Sequence, residues 1–316
     1  MKKEINISII DCNHGYYDPE IQEAEKLSLN DLTINLNIHN FDEYSKKNDV
    51  INKCLDSDVI VVQRFLVDDS LLSQLPRCKV VARYGVGLDN IQISDYLRAA
   101  IDVVNFPKFC TEEVADHATA LIMFLYRRLD ILFSCDNLNN HWGKPDLIDG
   151  LCSANNTTIG IVGIGNIGSS VAKRLLSYGF NVIAYDPYVD CFEGVKMVSM
   201  DHVFSNSDVL SIHCPLNEET EGMVDLKNMI KMSRGASIVN TSRGMVMNQL
   251  DLEKALKENI IRAACIDVCD PEPPNKSSYK IKNLYITPHV AFYSRESLCS
   301  LKSGVISESV SRFNDM

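Results

Sequence analysis

The sequence predicts an α/β protein of two doubly wound, parallel-sheet domains. Three observations carry that prediction. Short β-branched runs alternate with helical patterns up to about residue 105 and again from about residue 158, and such alternation implies parallel strands with helices on both faces. A glycine turn, Gly163-Ile164-Gly165-Asn166-Ile167-Gly168, sits between a strand pattern and a helix pattern in mid-chain. The length, 316 residues, suits two domains of ordinary size.

Composition narrows the class. Hydrophobic content of 46% and charged content of 23% are those of a globular chain, which excludes extended disorder. A net charge of −11 argues against nucleic acid or an anionic membrane as the main partner. No apolar run reaches the ~18 residues of a membrane span. The opening Met1-Lys2-Lys3-Glu4 leads into a strand-like run broken by Asp11, unlike a signal peptide. Eleven scattered cysteines, an odd number without a Cys-x-x-Cys pair, read as reduced, mostly buried thiols of a cytoplasmic protein, and no metal site is expected.

In the first half, residues 5–10, 33–38, 59–62 and 80–82 read as buried strands, with 103–104 a short fifth. Helical patterns fall at 20–28, 41–54, 70–75 and 91–99. Without a phosphate-binding glycine turn, this half is read as the substrate domain. Its loop Arg83-Tyr84-Gly85-Val86-Gly87-Leu88-Asp89-Asn90-Ile91 follows a strand and precedes a helix. Ligands in such sheets bind beyond the carboxyl ends of strands. Arg83 with the N–H groups of Gly85, Val86 and Gly87 therefore makes a candidate carboxylate cradle; a glycine-rich turn bearing a surface arginine satisfies the same residues. Pro107 marks a crossing between domains. Thr111 then caps a helix through Ala115, Ala118, Leu121, Ile122, Leu125 and Leu129. Polar residues 137–145, holding the lone Trp142, and the segment up to 156 suit an arm packing on a second subunit.

The middle of the chain carries the cofactor signal. Gly163 permits a tight turn, Gly165 lets the backbone approach a pyrophosphate, and Gly168 lets helix and strand pack closely. The helix start offers unpaired N–H groups to phosphate. Asp186, ending the next strand, can accept from both adenosine ribose hydroxyls. No Lys or Arg in Pro187-Tyr188-Val189 offsets a 2′-phosphate beside it, which favours NAD over NADP; a solvated strand-end aspartate is the alternative. Further strands fall at 208–213, 236–240, 262–267 and 281–286. The tail, 295–313, reads as a helix with Leu298, Leu301, Val305 and Val310 on one side, returning to the first domain after Pro288. The substrate domain is thus expected at 1–105 with 288–316, and the cofactor domain at 106–287.

Three polar residues lie just past strand ends in this half: Arg243, Glu272 and His289. Reducing a 2-oxo acid needs a hydride donor, a proton donor and a cation to orient the carboxylate. A nicotinamide supplies the first, histidine suits the second and the planar fork of arginine the third. A carboxylate beside the histidine favours the imidazolium and fixes the ring. Singly, each also reads as a surface pair, a loop acid or a capped core histidine.

Together these segments resemble the D-isomer-specific 2-hydroxyacid dehydrogenases. The resemblance rests on the glycine turn with Tyr185-Asp186-Pro187-Tyr188, His213-Cys214-Pro215-Leu216, Asn240-Thr241-Ser242-Arg243-Gly244, Asp270-Pro271-Glu272-Pro273 and Thr287-Pro288-His289. Arg83–Ile91 and Cys110-Thr111-Glu112-Glu113-Val114-Ala115-Asp116-His117-Ala118 resemble the branch of C-terminal-binding-protein-like dehydrogenases. The resemblance implies a Rossmann cofactor domain inserted in a flavodoxin-like substrate domain. It implies that Arg243 binds and polarises a 2-oxo acid, that His289 is the general acid/base, and that Glu272 tunes it. Arg83 and the backbone of Tyr84, Gly85, Val86 and Gly87 would hold the substrate carboxylate. Asn166 and Ile167 would meet the pyrophosphate, Asp186 the adenosine ribose, and His213, Cys214 and Pro215 the length of the cofactor. Thr241, Ser242 and Asp267 would lie toward the nicotinamide. Homodimerisation through the cofactor domain, with its long helix and arm, is implied too. Phe292 stands where many relatives of this branch carry tryptophan; it can pack on an apolar substrate side chain but has no N–H to donate. The function so implied is reversible NAD-dependent reduction of a 2-oxo acid to the D-2-hydroxy acid. The alternative is an NADH-sensing, corepressor-like dimer with little turnover. Hydride transfer from a one-carbon or inorganic donor, as in sibling subfamilies, has no motif in its favour.

Overall fold

The computed structural model describes residues 3–12, 15–28, 32–135 and 138–316. Met1 and Lys2, read above as the chain's opening, and Asn137, the first residue of the polar stretch in the expected arm, lie outside the described residues. The chain forms two compact units, Met1–Cys110 with Ser294–Met316, and Thr111–Tyr293. The crossings fall a few residues beyond Pro107 and Pro288.

The first unit is built on five parallel strands in the order Leu32–Ile38, Lys3–Ile9, Val59–Val62, Val80–Arg83, Asp102–Val104. This is the flavodoxin-like order, whose direction reverses between the Lys3–Ile9 and Val59–Val62 strands. Ile5, Ile7, Ile9, Val59, Val61, Val80 and Ala82 pack with Leu301, Val305, Ile306 and Val310 of the helix Arg295–Asn314. The intervening Ile60, Val62 and Val81 pack with Val50, Ile51 and Cys54 of the helix Lys47–Cys54. Because both faces are covered, the central strands read as unbroken apolar runs, and each such side chain contributes roughly 1.5–3 kcal/mol by burial.

Three expected helices are shorter than their sequence patterns, the 70–75 one being helical only over Asp69–Leu72. The 41–54 pattern is helical only over Lys47–Cys54. Before it, Ser45 Oγ accepts the Asp42 N–H at 2.9 Å and Asp42 O accepts the Ser45 N–H at 3.2 Å, a local closure that competes with helix. The 91–99 pattern opens as a strand: Ile91–Gln92 pairs in parallel with Val67–Asp68, and the helix is only Asp95–Arg98.

The second unit has seven parallel strands in the order Lys196–Met197, Asn181–Tyr185, Thr158–Val162, Val209–Ile212, Ser237–Asn240, Ala263–Ile266, Leu284–Ile286. This is the Rossmann order with one strand added, and it reverses between Thr158–Val162 and Val209–Ile212. Ile159, Ile161, Val209, Val239 and Cys265 pack with the helices Thr111–Tyr126 and Asn166–Ser177. Leu210, Ile212, Ile238, Ala264 and Ile266 pack with Val203, Phe204, Leu252, Ala255 and Leu256 on the other face.

The helix expected to reach Leu129 stops at Tyr126, and Arg128 adopts a left-handed φ of 56°. A half-buried cation sits at the stop. Arg262 donates to the Leu125 carbonyl at 3.0 Å, which also accepts the Arg128 N–H at 3.2 Å, and to Asp130 Oδ2 at 2.5 Å, so the helix end is tied from outside as well as by its own last turn. The expected arm contains the short helices Leu138–His141, Pro145–Ile148 and Ala154–Asn156. Phe133 and Trp142 are 79% and 81% exposed. Among the described residues no helix is long and apolar enough to cross a membrane.

Candidate active site

In the second unit, the Thr158–Val162 strand ends in Gly163 with a left-handed φ of 92°. A Cβ on Gly163 would stand 2.8 Å from Cys214 N, and one on Gly168 would stand 2.0 Å from Gly163 O. These two glycines are demanded by the protein's packing on itself. Gly165 is the opposite case: a Cβ there meets nothing within 4 Å, so the space is left before the helix Asn166–Ser177. Asn166 and Ile167 open that helix, where N–H groups lack intrahelical acceptors and attract anions. Asp186 holds the turn from the next strand end, accepting the Ile164 N–H at 2.8 Å and the Tyr188 N–H at 2.9 Å.

Across the point where strand order reverses, the His213 N–H donates to Val162 O and the ring Nε2 bonds Ser211 Oγ, each at 2.8 Å. Burial holds this imidazole down at about 4, so it is neutral near pH 7. Burial also pushes the Cys214 thiol up to about 11, which makes it a packing group. Pro215 is exposed. His213 Nδ1 and Thr241 Oγ1 are buried and have no partner among the described residues. Native interiors seldom leave such atoms unpaired. Two orphaned polar atoms beyond strand ends, with open space at Gly165, fit a nicotinamide dinucleotide.

The chemistry-bearing residues lie past the next strand ends of the same unit. Asn240 ends the Ser237–Asn240 strand, donates to Arg243 O at 3.0 Å, and accepts from the Ser242 N–H at 3.0 Å and Oγ at 2.8 Å. Arg243 Nη1 donates to Ser242 O at 2.8 Å. Ser242 therefore braces the arginine turn. A Cβ on Gly244 would stand 2.0 Å from Cys269 O, so the Arg243 turn lies against the loop that carries Glu272. Glu272 Oε1 accepts the Cys269 N–H at 3.1 Å, and Oε2 meets His289 Nδ1 at 2.8 Å. With Nδ1 engaged, Nε2 is the nitrogen left to exchange a proton, and the side chain is 36% exposed. Phe292 lies edge-on to the imidazole, ring centroids 6.3 Å apart.

His289 sits at a left-handed φ of 53°, a conformation that costs a non-glycine residue roughly 1–3 kcal/mol unless its surroundings enforce it. Asp267 enforces it. Its side chain is 1% exposed and accepts the Val290 N–H at 3.0 Å, the Ala291 N–H at 2.9 Å and the Thr287 hydroxyl at 2.5 Å. These three donors to Asp267 all lie in the segment that presents His289.

In the first unit, a Cβ on Gly85, whose φ is 134°, would stand 1.9 Å from Arg83 Nη1. The guanidinium folds back over this residue, and only glycine leaves it room. Gly85 O accepts the Phe106 N–H at 3.0 Å and Val86 O accepts from Asn105 Nδ2 at 2.6 Å. Among the described residues nothing accepts the N–H of Val86 or Gly87. Tyr84 does not join them. Its N–H is spent on Val62 O at 2.8 Å, and its buried hydroxyl donates to Glu20 Oε1 at 2.9 Å.

A residue the sequence reading passed over organises this end of the unit. Buried Asp11 lies just past the Lys3–Ile9 strand and accepts the N–H of Gln63 at 2.8 Å, Arg64 at 2.6 Å and Phe65 at 3.1 Å. Burial raises its carboxyl above the ordinary range, while the three N–H groups and the Arg83 charge pull it back. Asn240, Gly244 and Thr287 enter the sequence analysis only as parts of motifs, without a role. His117, whose Nε2 is 3.1 Å from Thr287 Oγ1, was quoted only as part of a motif.

Comparison with known proteins identifies the family. The family described as D-isomer specific 2-hydroxyacid dehydrogenase, NAD binding domain, matches residues 119–291. A glyoxylate reductase of Korarchaeum cryptofilum is 36% identical over 258 residues, which are 78% of this chain and 77% of that protein. The chain belongs to the D-isomer specific 2-hydroxyacid dehydrogenase family. D-3-phosphoglycerate dehydrogenases are also similar but longer: the match to that of Mycobacterium leprae, 34% identical, spans 73% of this chain and 44% of that protein. Among solved structures, a D-lactate dehydrogenase from Aquifex aeolicus complexed with NAD and lactic acid is 25% identical, with a TM-score of 0.78 over 98% of this chain and 95% of that one. An acyclic imino acid reductase in complex with NADPH and D-Arg shares the fold at 22% identity, with a TM-score of 0.83 over 98% of this chain and 97% of that one.

Proposed function

We propose that the protein is an NAD-linked oxidoreductase that interconverts a 2-oxo acid and its D-2-hydroxy acid, with His289 as general acid/base. The observation that carries this reading is the 2.8 Å contact between Glu272 Oε2 and His289 Nδ1, beside a braced arginine. Glu272 orients the ring by holding Nδ1, so that Nε2 gives its proton to the substrate oxygen during reduction and takes it back during oxidation. Arg243 binds the substrate and polarises its carbonyl. Arg83 and the N–H groups of Val86 and Gly87 hold the carboxylate. The reduced dinucleotide, when bound, supplies the hydride. Asp186 favours NAD over NADP, because a 2′-phosphate would meet its charge with no nearby cation in Pro187-Tyr188-Val189. Exposed Phe133 and Trp142 support a homodimer formed through the cofactor domain. A cytoplasmic setting suits eleven free cysteines.

The test is loss of NADH absorbance with a panel of 2-oxo acids from glyoxylate and pyruvate to branched, aromatic and phosphorylated members, with His289→Ala alongside. The expected result is turnover of at least one member, reduced about 10²–10⁴-fold in the variant, with NADH affinity nearly unchanged. A wild-type protein that turns over none of them, or a variant as fast as wild type, overturns the reading.

A further inference from the structure

His117 stands on the helix Thr111–Tyr126, six residues after the chain enters the second unit, and lies outside the groups to which a role has been given above. Its ring Nε2 is 3.1 Å from Thr287 Oγ1 and 3.8 Å from Asp267 Oδ1. Thr287 directly follows the Leu284–Ile286 strand and stands two residues before His289. The direction of the bonds follows from counting protons. Asp267 accepts the Thr287 hydroxyl at 2.5 Å, so the threonine spends its one proton there and offers His117 only lone pairs. His117 must therefore donate, which assigns a proton to Nε2. Asp267 in turn holds the N–H groups of Val290 and Ala291. A chain of hydrogen bonds thus runs from the helix through the hydroxyl to the carboxylate, which accepts from the hydroxyl and from the backbone N–H groups that follow the left-handed His289.

We propose that His117 is a positioning residue for proton transfer: through Thr287 and Asp267 it fixes the 287–291 segment and so the placement of His289. The proposal rests on the reading of His289 as the acid/base. The alternative for His117 is a half-exposed polar side chain bonded to whatever lies nearby. That alternative does not account for its partner being the hydroxyl that also binds the aspartate holding the loop. A histidine that merely fills space at a helix surface would tolerate any small replacement. A donor in a chain would tolerate only another donor of similar reach.

The experiment compares His117→Ala, His117→Gln, Thr287→Val and Thr287→Ser by three readouts: steady-state kinetics, NADH binding followed by fluorescence, and amide exchange of Val290 and Ala291. His117→Ala and Thr287→Val are expected to lower kcat about 10–100-fold, leave the NADH dissociation constant within about twofold, and speed exchange of the two amides about fivefold. The double variant His117→Ala/Thr287→Val is expected to be no worse than either single one, as for members of one chain. Glutamine carries an N–H at similar reach and serine keeps the hydroxyl, so both should stay within about threefold of wild type. Unchanged exchange in His117→Ala, a double variant whose losses multiply, or a glutamine variant as poor as alanine each overturns the proposal. Exchange is read without turnover. Should the wild type reduce none of the 2-oxo acids, the reading of His289 fails while the amides still decide whether His117 holds the segment. Should His117→Ala melt at the assay temperature, Thr287→Val against Thr287→Ser decides the same question.

Discussion

The two units solve one construction problem in the same way and then diverge. Each places a buried aspartate just past a parallel strand and uses it to gather backbone N–H groups of a later loop. Asp11 gathers those of Gln63, Arg64 and Phe65, and Asp267 gathers those of Val290 and Ala291. A buried carboxylate is costly unless its lone pairs are filled, and loop amides are costly unless accepted, so each satisfies the other. The divergence lies in what the loops present. Asp267 holds a segment whose central residue is the proposed acid/base and whose backbone is strained. Asp11 holds a relaxed loop, near a glycine turn whose N–H groups at Val86 and Gly87 stay available. The proposed roles match: a proton-transfer group needs its position fixed, whereas an anion cradle needs donors left over.

Removing the braces should separate these roles. The largest effect is expected from Asp267→Ala, which frees two backbone N–H groups and lets His289 leave its left-handed conformation; kcat should fall roughly 10³-fold. Initial rates across substrate concentration check this, and a loss under tenfold would mean that the segment holds itself. Glu272→Gln comes next. The amide keeps its size but holds Nδ1 less firmly than the carboxylate does, so the ring is less well oriented. kcat for reduction should fall about tenfold with KM little changed, read from initial rates. A kcat within twofold of wild type would break the pairing. The smallest effect is expected from Asp11→Asn: KM for the 2-oxo acid should rise a few-fold while kcat changes little.

Asp11→Asn also has a pH signature. A carboxyl raised in the folded state binds its proton more tightly there than in the unfolded chain. Its contribution to stability is complete below the unfolded value of 3.8 and is lost as pH rises through the folded one. The wild type's margin over Asp11→Asn in thermal melts should therefore narrow as pH rises from about 4 toward neutrality. A margin that widens instead would mean that the three N–H groups and Arg83 outweigh burial.

The sequence was most legible where a local constraint has a local signature. Gly163, Gly165 and Gly168 declare their turn because backbone contacts at 2.0–2.8 Å forbid a side chain at the first and third. Fully buried strands such as Val59–Val62 show as apolar runs because both sheet faces are covered. Arg243, Glu272 and His289 were legible as polar residues following strands. What stayed hidden depends on distant partners. Helix 111–126 ends where Arg262, more than a hundred residues away, takes its carbonyl. Tyr84 looked like part of a cradle because its hydroxyl partner, Glu20, is 64 residues away in sequence. His117 and Thr287 are separated by 170 residues, and no periodicity joins them. The pattern over 41–46 was read as helix because spacing cannot weigh the Asp42–Ser45 closure against it.

Asp186 carries a consequence for anyone wishing to redesign cofactor choice. Its two oxygens tie down Ile164 inside the glycine turn and Tyr188 beyond the strand. The obvious route toward a phosphorylated dinucleotide is to replace the acid with a small neutral residue and add a cation nearby. Here that exchange would untie the turn against which the pyrophosphate is expected to rest. The recognition proposed for Asp186 and the scaffolding it performs share one side chain, so a specificity switch would have to begin with compensating changes around residues 164 and 188.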